Sequence, residues 1–289
     1  MKVIRTIPET QEKSTWKAPT GTLGSLVESA RRIASHLPKI SADRIELARS
    51  QAAPPPFEPA LKGDFLRIIA EVKRASPSRG EIRADLSAAR QAFAYEEGGA
   101  AALSILTEGS RFGGSNADIA AARSKSTLPI VKKDFHVVPE QLIEARLLGA
   151  SAALIIVRAV SPADLESLAE VGRQIRLELL FEVRDETELG RALSAGARII
   201  GVNNRNLETL EVDPATVQRI VPLIPIDCVA IAESGYASAA DIEAAALAGA
   251  DAVLVGSALS LASDPRAAVS DISRVIRRGS VRKRDDSSS

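Results

Sequence analysis

Cysteine is nearly missing: Cys228 is the only one in 289 residues. That excludes an intramolecular disulfide and leaves no thiol cluster for a structural metal, so a reducing, cytoplasmic setting is expected. Aromatic side chains are also few, six Phe, two Tyr and one Trp. They are too sparse for the base-stacking platforms of single-strand binders. No charge of either sign is in excess: Lys+Arg and Asp+Glu both number 37. A nucleic-acid or membrane-surface partner held by bulk electrostatics is therefore not expected. No run of 18 apolar residues occurs, and the start, Met1-Lys2-Val3-Ile4-Arg5, lacks the apolar stretch of a secretory signal. What is present is length, enough for one large or two small domains with a sizeable core.

The most informative positive feature is a weak internal repeat. Helix-like stretches close on Gly-Ala and run into an aliphatic strand four times, at Gly99-Ala100, Gly149-Ala150, Gly196-Ala197 and Gly249-Ala250, at intervals of 50, 47 and 53 residues. Each interval has room for a second strand and helix. Leu66–Val72, Leu128–Lys133, Leu177–Val183 and Cys228–Ser234 supply the strands. All eight runs are near-continuously apolar, as parallel strands covered on both faces must be. Helical stretches separate them, among them Pro139–Leu148, Ser161–Gln174, Asp185–Ala195, Ser238–Leu247 and Asp264–Ile276. Between an open doubly wound sheet and a closed (β/α)8 TIM barrel, the regular interval and the absence of G-x-G-x-x-G after the first strand favour the barrel, over residues 63–278.

Two segments lie outside it. Residues 1–62 read as a helical extension packed on one end of the barrel, with apolar positions Leu23, Leu26, Val27, Ala30, Ile33, Ala34 and Leu37, a second Ser41-capped helix and the breaker Pro54-Pro55-Pro56. Residues 279–289 read as a disordered tail whose charges, Arg282-Lys283-Arg284 and Asp285-Asp286, carry little meaning.

In such a barrel the reaction site lies at the C-terminal ends of the strands. The odd strands end in Glu71-Val72-Lys73, Lys133-Asp134, Glu182 and Glu233-Ser234. Residues i and i+2 share a strand face, so Glu71 and Lys73 point the same way. Glu71, Lys133, Glu182 and Glu233 are expected to form one upper layer with Lys73 just above it. A structural ion-pair network would explain any one of these residues. Five ionisable groups in a barrel interior cost more in desolvation than apolar packing would, and so ask for a functional reason. Ser234-Gly235 and Gly256-Ser257 end the seventh and eighth strands, where this fold holds phosphate on backbone N–H groups, and Ser257–Ala262 is the candidate short extra helix. Either Gly-Ser alone would pass for an ordinary turn.

Glu71-Val72-Lys73-Arg74-Ala75-Ser76-Pro77-Ser78, Lys133-Asp134-Phe135, Phe181-Glu182-Val183, Val202-Asn203-Asn204-Arg205-Asn206-Leu207-Glu208-Thr209-Leu210 and Ala232-Glu233-Ser234-Gly235, together and in this order, closely resemble the indole-3-glycerol-phosphate synthases. The likeness runs from about residue 20 to 275. It implies ring closure of 1-(2-carboxyphenylamino)-1-deoxyribulose 5-phosphate with loss of carbon dioxide and water, without metal or other cofactor. It also implies Lys133 as general acid, Glu182 as general base, Lys73 as a second lysine paired with Glu71, and Glu233 as the carboxylate that orients the lysines. By the same likeness Asn203 and Arg205 are binders on the sixth strand, and Ser76, Ser234, Gly235, Gly256 and Ser257 bind substrate around its phosphate. The expected partner is a small phosphorylated molecule, bound by a monomer or weak homodimer.

Two competitors differ in their demands. A phosphoribosylanthranilate-isomerase-like barrel would want a cysteine base on the first strand, where this chain has Glu71 and Lys73. A non-catalytic phosphate-binding barrel would not need every ionisable position filled. Cys228 is expected as a small buried hydrophobe at the far end of the barrel, His36 as solvated, and His136 as an incidental loop residue that makes the pocket wall more polar.

Overall fold

The computed structural model describes residues 16–277 and Arg282. The extension holds helices α1 (Gly21–Ala34), α2 (Ala42–Ser50) and α3 (Phe57–Ala60). The barrel strands are β1 (Arg67–Val72), β2 (Ala102–Leu106), β3 (Ile130–Lys133), β4 (Ala152–Ile156), β5 (Glu178–Val183), β6 (Ile199–Asn203), β7 (Val229–Glu233) and β8 (Ala252–Val255). Between them run α4 (Ala88–Glu97), α5 (Gly109–Phe112), α6 (Ala117–Arg123), α7 (Pro139–Leu147), α8 (Pro162–Gln174), α9 (Glu186–Ser194), α10 (Ala215–Ile220) and α11 (Ala239–Ala248). After β8 come the short α12 (Ser257–Leu261) and α13 (Pro265–Ile272).

Every strand pairs in parallel with its neighbours in sequence, and β1 pairs with β8, closing the barrel. All residues of β2, β4, β6, β7 and β8 are buried, which is why these runs do not alternate. The Gly-Ala repeat has a backbone cause. Gly249 follows α11 at φ 94°, and Gly99, Gly149 and Gly196 likewise stand at positive φ, a left-handed stop that a side chain would strain. Helix starts follow local chemistry too: the Ser161 hydroxyl accepts from the Asp164 N–H with Pro162 at the first helical position, and Asp185 accepts from Glu188 N–H.

Several expectations change. Rather than resting on one end, the extension runs the height of the barrel. α1 reaches the mouth, α2 lies against α7 and α8, and α3 sits at the floor, where the Phe57 and Glu58 N–H groups donate to the Glu178 carboxylate at 2.7 and 2.6 Å. Ile33 is 60% exposed, outside the buried stripe of α1. The last helix stops at Ile272, because Val275 and Ile276 turn extended and pair with the chain entering β1: Leu66 N–H donates to Val275 O and Ile276 bridges Phe65. Arg282 is not a free tail charge. It is buried, donates to Cys228 O at 2.9 Å and pairs with Asp251 at the start of β8, which Arg277 also engages. The rest of the tail, 279–281 and 283–289, lies outside the described residues.

Candidate active site

Strand register sets the site. Leu106 lies opposite Lys133, Ile156 opposite Glu182, and Asn203 opposite Glu233, so the ionisable groups from four strands arrive at one level of the mouth. Lys133 Nζ stands 3.6 Å from Glu182 and 3.7 Å from Glu233. Lys73 Nζ is 3.2 Å from Glu71, whose other carboxylate oxygen accepts from Ser104 Oγ at 2.9 Å. Asn203 Nδ2 donates to Glu182 at 3.0 Å, and Asn203 Oδ1 accepts the Arg205 N–H at 2.8 Å. Arg205 is fixed further on by donation to Leu210 O.

Burial acts on Glu71, Lys133 and Glu233, and their neighbours oppose it or add to it. It would raise the Glu71 carboxyl, but Lys73, Lys133 and Ser104 outweigh it and hold that group below the ordinary carboxylate range. Burial would lower Lys133, yet Glu182, Glu233 and Glu71 hold its ammonium above the ordinary lysine range. Glu233 goes the other way: burial, reinforced by Glu182 and Glu71 and opposed by Lys133, pushes it up to about 8. One cluster thus holds an ionised carboxylate, a protonated amine and a carboxylic acid together near neutral pH, a combination suited to acid–base work. Glu182 Oε2, Glu233 Oε1 and Ser76 Oγ are buried without a hydrogen-bond partner, so the cluster retains capacity to accept or donate.

These groups open into a cavity of about 250 Å³, lined by every residue expected at the catalytic and substrate-binding site: Glu71, Lys73, Ser76, Lys133, Glu182, Asn203, Arg205, Glu233, Ser234, Gly235, Gly256 and Ser257. Ser234 and Gly235 both take left-handed backbone, φ 66° and 91°, and Asn204 Nδ2 braces the turn by donating to Ser234 O. For a serine that conformation costs about 1–2 kcal/mol, a strain typical of functional loops. Leu106, Leu154, Leu210 and the rings of Phe112 and Phe135, whose centroids are 6.2 Å apart, also line the cavity and give it apolar surface suited to a planar group. α1 contributes Thr22 and Leu26 to the rim.

Other functional residues escaped the sequence reading. Gly201 is one: a Cβ there would collide with Glu233 Oε1. Gly256 serves a second purpose of the same kind, since a Cβ there would collide with Glu71 Oε1. A glycine inside an apolar strand, as at Gly201, is the signal that could have found it. Ser104, a lone hydroxyl in Ala-Leu-Ser-Ile-Leu, carries a similar signal. Arg79, from the small hairpin at 75–81, also lines the cavity.

His136 departs from expectation. It does not line the mouth but is fully buried, with Nδ1 2.8 Å from Leu154 O, and burial and Lys132 push it down to about 4. Cys228 sits just ahead of β7, at the far end from this cavity, and burial and Asp227 push its thiol up to about 11, the reverse of an activated base. His36 is exposed. Among the described residues no group of three His, Cys, Asp or Glu side chains is placed to hold a metal, and no helix is long and apolar enough to cross a membrane.

A closed parallel barrel with lysines and glutamates converging on a cavity at the C-terminal mouth defines the (β/α)8-barrel class, whose reaction sites lie at that mouth. The family model for indole-3-glycerol phosphate synthase matches residues 26–272, and the chain belongs to that family. It is 46% identical to indole-3-glycerol phosphate synthase 1 of Streptomyces coelicolor over 86% of this chain and 94% of that one. The corresponding figures for the Mycolicibacterium smegmatis synthase are 47%, 86% and 93%. A solved 3-hexulose-6-phosphate synthase shares the fold, with TM-score 0.56 and 13% identity over 72% of this chain and 98% of that one.

Proposed function

We propose that this enzyme closes the indole ring of indole-3-glycerol phosphate from 1-(2-carboxyphenylamino)-1-deoxyribulose 5-phosphate, releasing carbon dioxide and water, in tryptophan biosynthesis. The observation that carries the reading is Lys133 held between Glu182 and Glu233 at the mouth that Gly235 and Ser257 also line. In this reading the phosphate lies on the backbone of the loops after β7 and β8, with Ser76 and Ser234 beside it, and the aryl ring lies against Phe112 and Phe135.

The Lys133 ammonium gives its proton to the substrate carbonyl oxygen as the aryl carbon bearing the carboxylate forms the new carbon–carbon bond. Carbon dioxide then leaves, and the electron pair of the broken bond restores the aryl ring. Lys73, held by Glu71, protonates the departing hydroxide with the help of the ring nitrogen. Glu182 removes the last proton from carbon and completes the indole, while Asn203 and Glu233 fix the positions of Glu182, Lys133 and the substrate hydroxyls. Arg205 lines the same pocket as a further substrate binder.

The test is incubation with the carboxyphenylamino-deoxyribulose phosphate while indole fluorescence is followed. Growth of the indole signal supports the reading. Tight binding with no signal would leave a non-catalytic phosphate-binding barrel.

A further inference from the structure

Glu182 touches two cavities. Behind the mouth lies a second one of about 140 Å³; Ile156, Glu182, Asn203, Arg205 and Leu207 line both and so form the partition between them. The rear chamber differs in character from the mouth: its other walls include Arg158, Arg184, Asp185, Glu188 and Glu208. A space of that size and polarity holds several waters. Its wall includes the part-exposed Arg158–Glu208 pair, which brings the chamber within reach of solvent.

Glu188 is the unused titratable group in this chamber. It is buried on the first turn of α9, and Oε2 accepts the Arg184 N–H at 2.8 Å. Among the described residues it makes no ion pair. The charged groups around it are Asp185 and Arg191 on its own helix, Glu182 and Arg184 at the end of β5, and Arg158 after β4. Burial, with Asp185 and Glu182 adding to it and Arg158 opposing, pushes its carboxyl up to about 7. A group so poised accepts a proton and gives it up again near neutral pH.

The proposed reaction creates a need for such a group. Once substrate fills the mouth, the proton that Glu182 takes from carbon has no water to leave by on that side, where the neighbouring acceptor is Lys133, 3.6 Å away. We infer that Glu188 is the proton relay of this enzyme: the Glu182 carboxylic acid passes its proton through rear-chamber water to the Glu188 carboxylate, which releases it to solvent past Arg158 and Glu208. One proton moves, no bond to carbon is made or broken in the relay, Glu182 is returned to the carboxylate form, and Lys133 and Lys73 regain their two protons from solvent at the mouth as product leaves. The inference rests on Glu182 acting as the base.

The competing role for Glu188 is structural, as an acceptor for the N–H that precedes α9. Glu188→Gln separates the two, since the amide oxygen keeps the hydrogen bond and the side chain no longer carries a proton. Expected are a melting temperature near that of the parent, an unchanged KM, a kcat about tenfold lower, and loss of any fall in kcat below about pH 7. Glu188→Ala is the second variant, in which formate, but not chloride, restores kcat in a dose-dependent manner. Parental kcat and pH profile in Glu188→Gln, or no formate rescue of Glu188→Ala, would overturn the relay. Glu182→Gln is run alongside: if it turns over normally, the base assignment itself fails, whereas an inactive Glu182→Gln beside a fully active Glu188→Gln removes only the relay.

Discussion

Lys133 shows how a single residue is read from its surroundings. Burial alone would favour the neutral amine, but the neighbouring Glu182, Glu233 and Glu71 keep it protonated, so it stands ready as an acid. Lys133→Met is expected to lower kcat by roughly 10²-fold or more. Steady-state kinetics with the indole signal checks this, and a kcat within twofold of the parent would remove Lys133 from the mechanism. Gly201 offers a subtler case, since Gly201→Ala sets a methyl group against Glu233 Oε1. The expected result is a folded protein whose kcat falls at least tenfold, because Glu233 must leave the position from which it faces Lys133; circular dichroism and kinetics on the same sample read both. Residues of the first kind were legible because a charge at the end of an apolar strand breaks the local pattern. Gly201 and Ser104 were not, because their reasons lie on neighbouring strands and depend on the register with which the barrel closes.

Among the elements, the extension couples most directly to the site. Glu208, in the loop after β6, accepts from Thr20 N–H at 2.6 Å and Thr20 Oγ at 3.1 Å and pairs with Arg158 at 3.1 Å. Arg158 in turn donates to Lys17 O, and its own carbonyl accepts from Trp16 Nε1 at 3.3 Å. This clamp holds the start of α1, and with it Thr22 and Leu26, at the rim. Glu208→Ala removes all three partners, and a loss of about 1 kcal/mol in holding the rim corresponds to a KM raised roughly fivefold. We expect kcat to change less than KM; equal KM values in parent and variant would show that the clamp does not shape the pocket. The helices themselves were readable from periodicity and caps. Their course over the barrel was not, since Glu178, Glu208 and Arg158 are ordinary surface charges until the chain folds.

For the whole molecule, the same burial that tunes the site makes stability depend on pH. His136 is pushed down to about 4, so below about pH 6.5 the unfolded chain takes up a proton that the folded one refuses. Its contribution is complete above that pH and is lost as the pH falls toward 4, by at most about 3 kcal/mol. Glu233 and Glu188, pushed up, work in the opposite sense: the folded chain keeps protons that the unfolded one releases, and stability erodes as pH rises from about 4.5 toward 7 or 8. His136→Gln is therefore expected to flatten the acid limb and leave the alkaline limb unchanged, as read by urea unfolding from pH 4 to 8. A parallel acid limb in the variant would mean that other groups govern it. The barrel itself was legible from the fourfold Gly-Ala spacing. The Arg282–Asp251 pair beneath it was not, because composition near a chain end resembles disorder until a buried acid is found to receive it.

Trp16 is the only tryptophan in the chain, and it sits on the Arg158 carbonyl within the clamp. The protein therefore carries one fluorophore that can be excited apart from tyrosine, at the place where the extension meets the barrel rim. Its emission wavelength and lifetime report the seating of that strap without an attached dye, and titration with a non-cyclising reduced analogue would follow rim movement in real time.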